Sequence, residues 1–94
     1  MKKYVIERDI PGAGNMSTQD LAAASRKSNE ALAELAPFIQ WQHSYVAGDK
    51  TFCIYLAKDE TTILEHARRS GFPANSITEV ACEIDPTTEN CKGA

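Results

Sequence analysis

The chain has 94 residues, of which 43% are hydrophobic and 24% charged, and its formal net charge at pH 7 is −3. This composition excludes intrinsic disorder, and the length predicts a single domain over residues 1–94. The negative net charge, with basic residues only in short pairs, argues against nucleic acid as a partner.

The first third of the chain predicts a strand, a loop and a helix. Residues 3–9 are typical of a strand, and the glycine-containing residues 11–15 predict a loop. Glycines before a helix can present N–H groups to a phosphate, but no full phosphate-binding motif is present, so a plain connection is favoured. Ser17 is the expected N-cap, with Asp20 three residues later, and Pro37 closes the helix. The apolar stripe of this helix is Leu21, Ala24, Ser28, Leu32 and Leu35.

The middle of the chain predicts a hairpin followed by a second helix. Residues 38–47 and 51–57 are two strand-forming runs, joined by a turn at Gly48 and Asp49. Asp59 is the expected N-cap of the second helix, and Gly71 is its expected C-terminal stop. The predicted buried side of this helix is Ile63, Leu64 and Ala67.

The end of the chain predicts one more strand, over residues 76–84, and a polar tail from about residue 86. The predicted inner face of this strand is Val80, Cys82 and Ile84, and Cys91 in the tail is an incidental thiol. The element order is β-α-β-β-α-β, which predicts an α+β, ferredoxin-like domain. Right-handed crossovers then predict a four-stranded antiparallel sheet of order 4-1-3-2, with both helices on one face.

The number of large aromatic rings predicts a homodimer. A single helical layer covers only one face of so small a sheet, and the strands carry more rings than that face can hold. We therefore expect a second copy of the chain on the open sheet face. The rings in question are Tyr4, Trp41, Tyr45, Phe52 and Tyr55.

No segment of the sequence is long and apolar enough to span a membrane, so we expect no membrane partner. Three cysteines cannot all pair within one chain, which favours free thiols and a reducing, cytoplasmic location. Charged Lys2 and Lys3 precede any apolar stretch, which argues against a signal peptide.

Three of the five histidine and cysteine residues fall within the hairpin and the second helix. They are His43, Cys53 and His66, and imidazole with thiolate is a ligand set that binds zinc, copper or nickel. The helix rise returns His66 about 10 Å along the strand, to the level of Cys53. Glu7 is a further oxygen ligand. The same residues also fit simpler roles as a core thiol, an interface histidine and a hydrogen-bonded histidine.

The sequence leaves open whether these side chains share one face of the sheet. With a two-residue turn Ser44 pairs with Cys53, so His43 and Cys53 point to opposite faces; a three-residue loop would place them together. The more apolar side of the same strand, and hence the expected core side, is Phe52, Ile54 and Leu56. Cys53 and Tyr55 would then face the dimer interface, away from His66, and the ion would lie between subunits or in two separate sites.

Several short motifs, in this order and spacing, resemble a family of small ferredoxin-like proteins of unknown function that includes nickel-binding members. The resemblance implies a ferredoxin-like dimer with nickel as a ligand, and it implies His43, Cys53 and His66 as ligand positions. The motif residues are Trp41, Ser44, Tyr45, Val46, Asp49, Lys50, Cys53, Tyr55, residues 65–68, residues 71–73 and residues 84–88.

Two functions follow as hypotheses. The first is a cytoplasmic metal-binding protein, for nickel or else zinc or copper, whose role in storage, sensing, delivery or catalysis the sequence does not define. The alternative is a cofactor-independent isomerase or monooxygenase of the dimeric α+β barrel type. In that enzyme His43 or His66 would act as a general base on a small aromatic or keto substrate.

Overall fold

The computed structural model describes residues 1–90, and the predicted order of strands and helices is confirmed there. The predicted incidental thiol Cys91 lies outside these residues. The strands are β1 (Lys2–Asp9), β2 (Ile39–Ala47), β3 (Lys50–Ala57) and β4 (Ser76–Glu79), and the α-helices are α1 (Thr18–Leu35) and α2 (Glu60–Ser70). Short 3-10 turns occupy Ala13–Asn15 and Pro86–Asn90.

The four strands form one antiparallel sheet in the order β2-β3-β1-β4. Read from the β4 edge, these are the same neighbours as in the order 4-1-3-2 expected from the sequence. Both helices pack on one face, where Ser28 of α1 meets His66 of α2 against Tyr55 of β3. The arrangement resembles the ferredoxin-like fold. Neither helix of this part of the chain is long and apolar enough to cross a membrane.

The helix ends follow the capping signals in the sequence. Ser17 accepts a hydrogen bond from the Asp20 N–H at 3.1 Å, and the Asp20 carboxylate accepts one from the Ser17 N–H, so the capping box is complete. Asp59 caps α2 by accepting from the Thr62 N–H at 2.9 Å. Gly71 ends α2 with φ of 78°, in the left-handed region where glycine avoids the steric cost of a side chain.

The loop after β1 is a structural connection. The Gly12 N–H donates to Asp49 Oδ1 at 2.8 Å, and the Gly14 N–H donates to the Gly48 carbonyl at 2.7 Å. A Cβ at Gly14 would lie 3.0 Å from that carbonyl, so the close approach of loop and turn requires glycine. Both N–H groups that a phosphate would need are already used by the hairpin turn. The plain connection favoured by the sequence is confirmed.

The hydrophobic core lies between the sheet and the helices. The side of β3 that faces this core is the opposite of the side predicted from the sequence. Its buried residues are Tyr4, Ile6, Ile39, Cys53, Tyr55, Ala57 and Ile63. The prediction that Phe52, Ile54 and Leu56 form the core side was wrong, because these residues alternate onto the open face. Small Cys53 and Ala57 leave room for the helices to approach the sheet, which bulkier side chains would not.

A bulge in β2 separates the aromatic and polar residues of the hairpin. Trp41 pairs with Tyr55 and His43 pairs with Ile54, so Gln42 is an extra residue opposite a continuous β3. The two-residue turn places His43 on the open face, and the extra residue at Gln42 returns Trp41 to the helix side. Ser44 returns to the helix side, where its hydroxyl accepts a hydrogen bond from Trp41 Nε1 at 2.9 Å.

Three predicted buried positions, Leu64, Cys82 and Ile84, are exposed. Leu64 is 51% exposed, because α2 presents Ile63, His66 and Ser70 to the sheet, a spacing of one helical face. The last strand ends at Glu79 and not at residue 84, so the predicted inner residue Cys82 is exposed. The physical reason is the length of β1: in this register Ala81 lies opposite Lys2, the first residue of β1, so Cys82 and the residues after it have no strand to pair with.

The capping box predicts a measurable loss of stability when its hydroxyl is removed. Ser17→Ala is expected to lower the free energy of unfolding by about 1 kcal/mol, because the Asp20 N–H loses its partner. Urea denaturation measures this change. Thr61→Ala removes an exposed hydroxyl from the first turn of α2 and is the matched control, expected within about 0.5 kcal/mol of the parent. Equal losses in the two variants would contradict the role of the cap.

Candidate functional site

Cys53 lies on the helix side of the sheet. Its side chain is buried, its Sγ donates to Thr51 Oγ1 at 3.6 Å, and it forms part of the wall of a cavity between sheet and helices. The two-residue turn and the Ser44–Cys53 pairing are confirmed, so Cys53 and His43 point to opposite faces. The interpretation that would turn Cys53 and Tyr55 toward a dimer interface was wrong.

His66 is fully buried on α2. Its Nε2 lies 3.1 Å from Ser28 Oγ, and its ring packs 5.3 Å from the Tyr55 ring, centroid to centroid. Its Nδ1 is buried with no hydrogen-bond partner among residues 1–90. Burial, and next the positive charge of Arg8, lower the pKa of His66 from 6.5 to about 4. The imidazole is therefore neutral at pH 7.

Arg8 is a buried cation that the sequence reading missed. Its side chain is 3% exposed, Nη1 donates to the Pro73 carbonyl at 2.8 Å, and Nη2 has no partner in the described part of the chain. Neighbouring Tyr55 has its pKa raised chiefly by burial, while interactions with Ser28 and Arg8 act in the opposite direction. Arg8, Ser28, Tyr55 and His66 thus form a buried polar cluster around the phenol of Tyr55.

A signal for Arg8 was present in the strand pattern. Tyr4 and Ile6 are the core positions of β1, and alternation makes the residue two positions later the next one on the same face. A charged residue at such a position is uncommon and marks either an ion pair or a ligand site. The sequence interpretation assigned residues 3–9 to a strand and gave no facing for Arg8.

The helix-side cavity has a volume of about 130 Å³ and is partly open to solvent. Its walls are mostly apolar, and Arg8, Cys53 and Tyr55 lie on the sheet side. The first turns of α1 and the loop after α2 close it from above, with Leu21 and Phe72 among the contributing side chains. A concave, mostly apolar space with a few polar groups is the usual form of a small-molecule site.

His43 belongs to a separate hollow on the open face of the sheet. It is exposed, and its ring contacts Tyr45 edge-on, with the centroids 5.2 Å apart. Val5, Ile54 and Glu83 line the same hollow. The pKa of Glu83 is lowered, first by its hydrogen bond from Lys3 and to a smaller extent by His43, so this carboxylate is charged at neutral pH.

Glu7 also lies on the open face, one row of the sheet away from His43. Strand alternation sets it beside Phe52, which pairs with it across β1 and β3. Its Oε1 accepts a hydrogen bond from Lys50 Nζ at 2.6 Å, and the same ammonium lies 3.1 Å from Asp9. The Glu7 carboxylate already forms an ion pair with Lys50, so a metal ion would have to compete with this ammonium group.

The structure therefore divides the four predicted ligands between two faces. Cys53 and His66 lie on the helix side, whereas His43 and Glu7 lie on the open side. Within residues 1–90, no group of three or more histidine, cysteine, aspartate or glutamate side chains is arranged to hold a metal ion. One ion cannot be shared by His43, Cys53 and His66 of a single chain.

Comparisons with known proteins agree with the fold. The model of the family described as SCO4226-like nickel responsive proteins matches residues 4–80, a segment that contains all four predicted ligands. The crystal structure of SCO4226 from Streptomyces coelicolor A3(2) superposes with a TM-score of 0.72, covering 87% of this chain and 99% of that one, at 14% sequence identity. This likeness shows the fold. Among curated protein sequences, none matches the chain.

The buried histidine predicts a pH-dependent stability. The pKa of His66 is about 4 in the folded chain and about 6.5 in the unfolded chain, so the unfolded chain binds the proton more tightly. The stabilisation is complete above pH 6.5 and is lost as the pH falls toward 4, by up to roughly 3 kcal/mol. Urea denaturation across this range measures the loss.

Two variants isolate the contribution of His66 from that of the carboxylates. His66→Gln keeps a polar atom for Ser28 but does not titrate, so its unfolding free energy should fall less steeply with acid than that of the parent. His43→Gln removes an exposed imidazole and should keep the slope of the parent. Parallel curves for the parent and His66→Gln would refute the buried, neutral histidine.

Proposed function

We infer the function from the family: the chain belongs to the SCO4226-like nickel responsive proteins, and we propose that it binds nickel. The observation that carries the proposal is the match over residues 4–80 to a family described as nickel responsive. Imidazole and carboxylate groups are ligands for late first-row divalent ions, so zinc and copper are competitors in vitro.

Electrostatics favour the open face as the position of the ion. Arg8 carries a full positive charge beside Tyr55 and His66, and that charge already opposes protonation of His66. A divalent cation in the same low-dielectric space would be opposed more strongly, since the repulsion scales with the charge. On the open face, His43 lines a hollow together with the charged carboxylate of Glu83. We therefore propose His43 as the principal ligand.

We propose that a homodimer completes this site. Among residues 1–90, one chain offers His43 and Glu83 as ligands in the hollow, which are fewer than a nickel ion takes, and Glu7 is held by Lys50. A two-fold axis through the open face would bring a second copy of the same residues to the ion. The helix-free face also carries a set of apolar side chains that a second copy would bury, namely Val5, Tyr45, Phe52, Ile54 and Leu56.

The enzyme alternative, with His43 or His66 as a general base, stays a prediction, because no specific observation favours it over nickel binding. His66 is fully enclosed, and its pKa of about 4 lies well below the neutral range in which a general base is most effective.

Nickel calorimetry on protein purified without an affinity tag tests the ligand assignment. His43→Ala is expected to weaken nickel binding by at least about tenfold, and binding should weaken as the solution becomes more acidic, because protons compete with the metal for the ligand nitrogen. His66→Gln is the matched control and should bind nickel like the parent.

The cysteine provides the sharpest contrary outcome. Cys53→Ser nearly conserves volume and removes the soft thiolate, and we expect unchanged nickel affinity with no sulfur-to-nickel charge-transfer absorption in either protein. Loss of affinity in Cys53→Ser, with such a band in the parent, would place the ion on the helix side and refute the proposed site.

The dimer interface is tested by charge substitution on the two sides of the molecule. Tyr45→Glu, at a position 62% exposed on the open face, is expected to shift the protein from dimer to monomer, because a carboxylate would be buried against the second copy. Leu64→Glu, at a position 51% exposed on α2, is the matched control and should leave the dimer intact. Sedimentation velocity at micromolar concentration gives the result, and a monomeric parent would contradict the proposal.

A further inference from the structure

The helix-side cavity holds a positive charge without a counter-ion. Arg8 is 3% exposed, and its Nη1 donates a hydrogen bond to the Pro73 carbonyl, whereas Nη2 has no partner among residues 1–90. No carboxylate of those residues forms an ion pair with it. Buried charges in proteins are normally paired, because desolvating an unpaired charge costs several kcal/mol. The unpartnered Nη2 therefore indicates a group that is missing from the isolated chain.

The space beside Arg8 has the size of a small organic molecule. Its volume of about 130 Å³ is close to the roughly 150 Å³ of an apolar protein cavity that binds benzene. Its walls are mostly apolar and include Met16, Leu21 and Phe72. Tyr55 is the polar neighbour of the guanidinium, and Ser28 lines the same cavity.

We propose that this cavity binds a small organic monocarboxylate whose apolar body is about the size of one aromatic ring. The carboxylate accepts hydrogen bonds from Arg8, whose planar guanidinium matches the geometry of two carboxylate oxygens. The apolar body lies against Trp41 and the first turns of α1. Binding then pairs the buried charge and fills the apolar space in one step.

Other ligand classes fit the same walls less well. A phosphate dianion carries no apolar body and needs more donors than one guanidinium edge and one phenol provide. A metal cation is opposed by the charge of Arg8. A neutral apolar molecule would fill the space but leave the arginine unpaired. A monocarboxylate with an apolar body pairs with the charge of Arg8 and also contacts the apolar walls of the cavity.

This site is distinct from the proposed nickel site, because the two lie on opposite faces of the sheet. The carboxylate site is formed by Arg8, Cys53 and Tyr55 with α1, whereas the nickel proposal rests on His43 and Glu83. Ligand binding on the helix side is therefore expected in metal-free protein, and failure of either proposal leaves the other standing.

The single tryptophan of the chain reports on this cavity, since Trp41 lines it. The probe is benzoate, added to metal-free full-length protein while Trp41 fluorescence is excited at its red edge, where benzoate does not absorb. A saturable change is expected below about 10 mM benzoate. Benzamide has the same shape without the charge and should bind at least about tenfold more weakly. No response to benzoate, or equal binding of benzamide, would overturn the proposal.

Variants assign the binding to the arginine. Arg8→Gln is expected to weaken benzoate binding by at least about tenfold. Arg26→Gln makes the same change of net charge at an exposed position of α1 and should bind like the parent. Unchanged binding in Arg8→Gln, or an equal loss in Arg26→Gln, would refute the assignment.

If Arg8→Gln does not fold, a second substitution tests whether benzoate binds in this cavity. Ala24→Leu fills the cavity from α1 while Arg8 stays in place, because Ala24 is half-buried and lines the space. Circular dichroism establishes that the variant is folded, and the benzoate response should then be lost. A folded Ala24→Leu variant that binds benzoate like the parent would place the ligand outside this cavity.

Discussion

The pairing of β2 with β3 is the constraint on which the rest of the molecule depends. Side chains alternate between the faces of a strand, so the register of this one hairpin decides which groups meet the helices and which meet the open side. The two-residue turn fixes Ser44 opposite Cys53, and the extra residue at Gln42 reverses the alternation beyond it. Without that bulge, Trp41 would share a face with His43 and the helix side would lose the wall of its cavity.

The hairpin register also separates two kinds of electrostatic environment. On the helix side, Arg8 makes the interior positive, and its charge contributes to keeping His66 neutral. On the open side, Glu83 remains a charged carboxylate beside His43, and it is stabilised by a hydrogen bond from Lys3 and by solvent. Burial strengthens the electric field of the charge on the helix side, whereas solvent screens the field of the charges on the open side. One face of the sheet is thus suited to an anion and the other to a cation.

The sequence predicted the framework well because local rules govern it. The cap at Ser17, the turn at Gly48 and the left-handed stop at Gly71 each follow from the geometry of a few neighbouring residues. The facing of β3 could not be predicted in the same way. Hydrophobicity favoured the side of Ile54 as the core, but both sides of β3 carry apolar side chains, so hydrophobicity alone does not select the side that meets the helices.

The candidate site was predicted only in part, and the reason is that its chemistry depends on facing. A shared site needed His43 and Cys53 on one face, but that facing depends on the length of the turn between them, and the sequence left a two-residue turn and a three-residue loop open. The buried cation was missed for a different reason. Arg8 follows Glu7 and precedes Asp9, so it reads as part of a polar strand end, although its alternation with Ile6 places it in the core.

The two faces share their strands, and this limits how they can influence each other. Cys53 and Ile54 are consecutive residues of β3, yet one contributes to the cavity and the other to the open hollow. A slip of the strand by one residue would exchange them, and it would also turn buried Tyr55 and Ala57 out of the core. The same packing that holds the core therefore holds both sites in place.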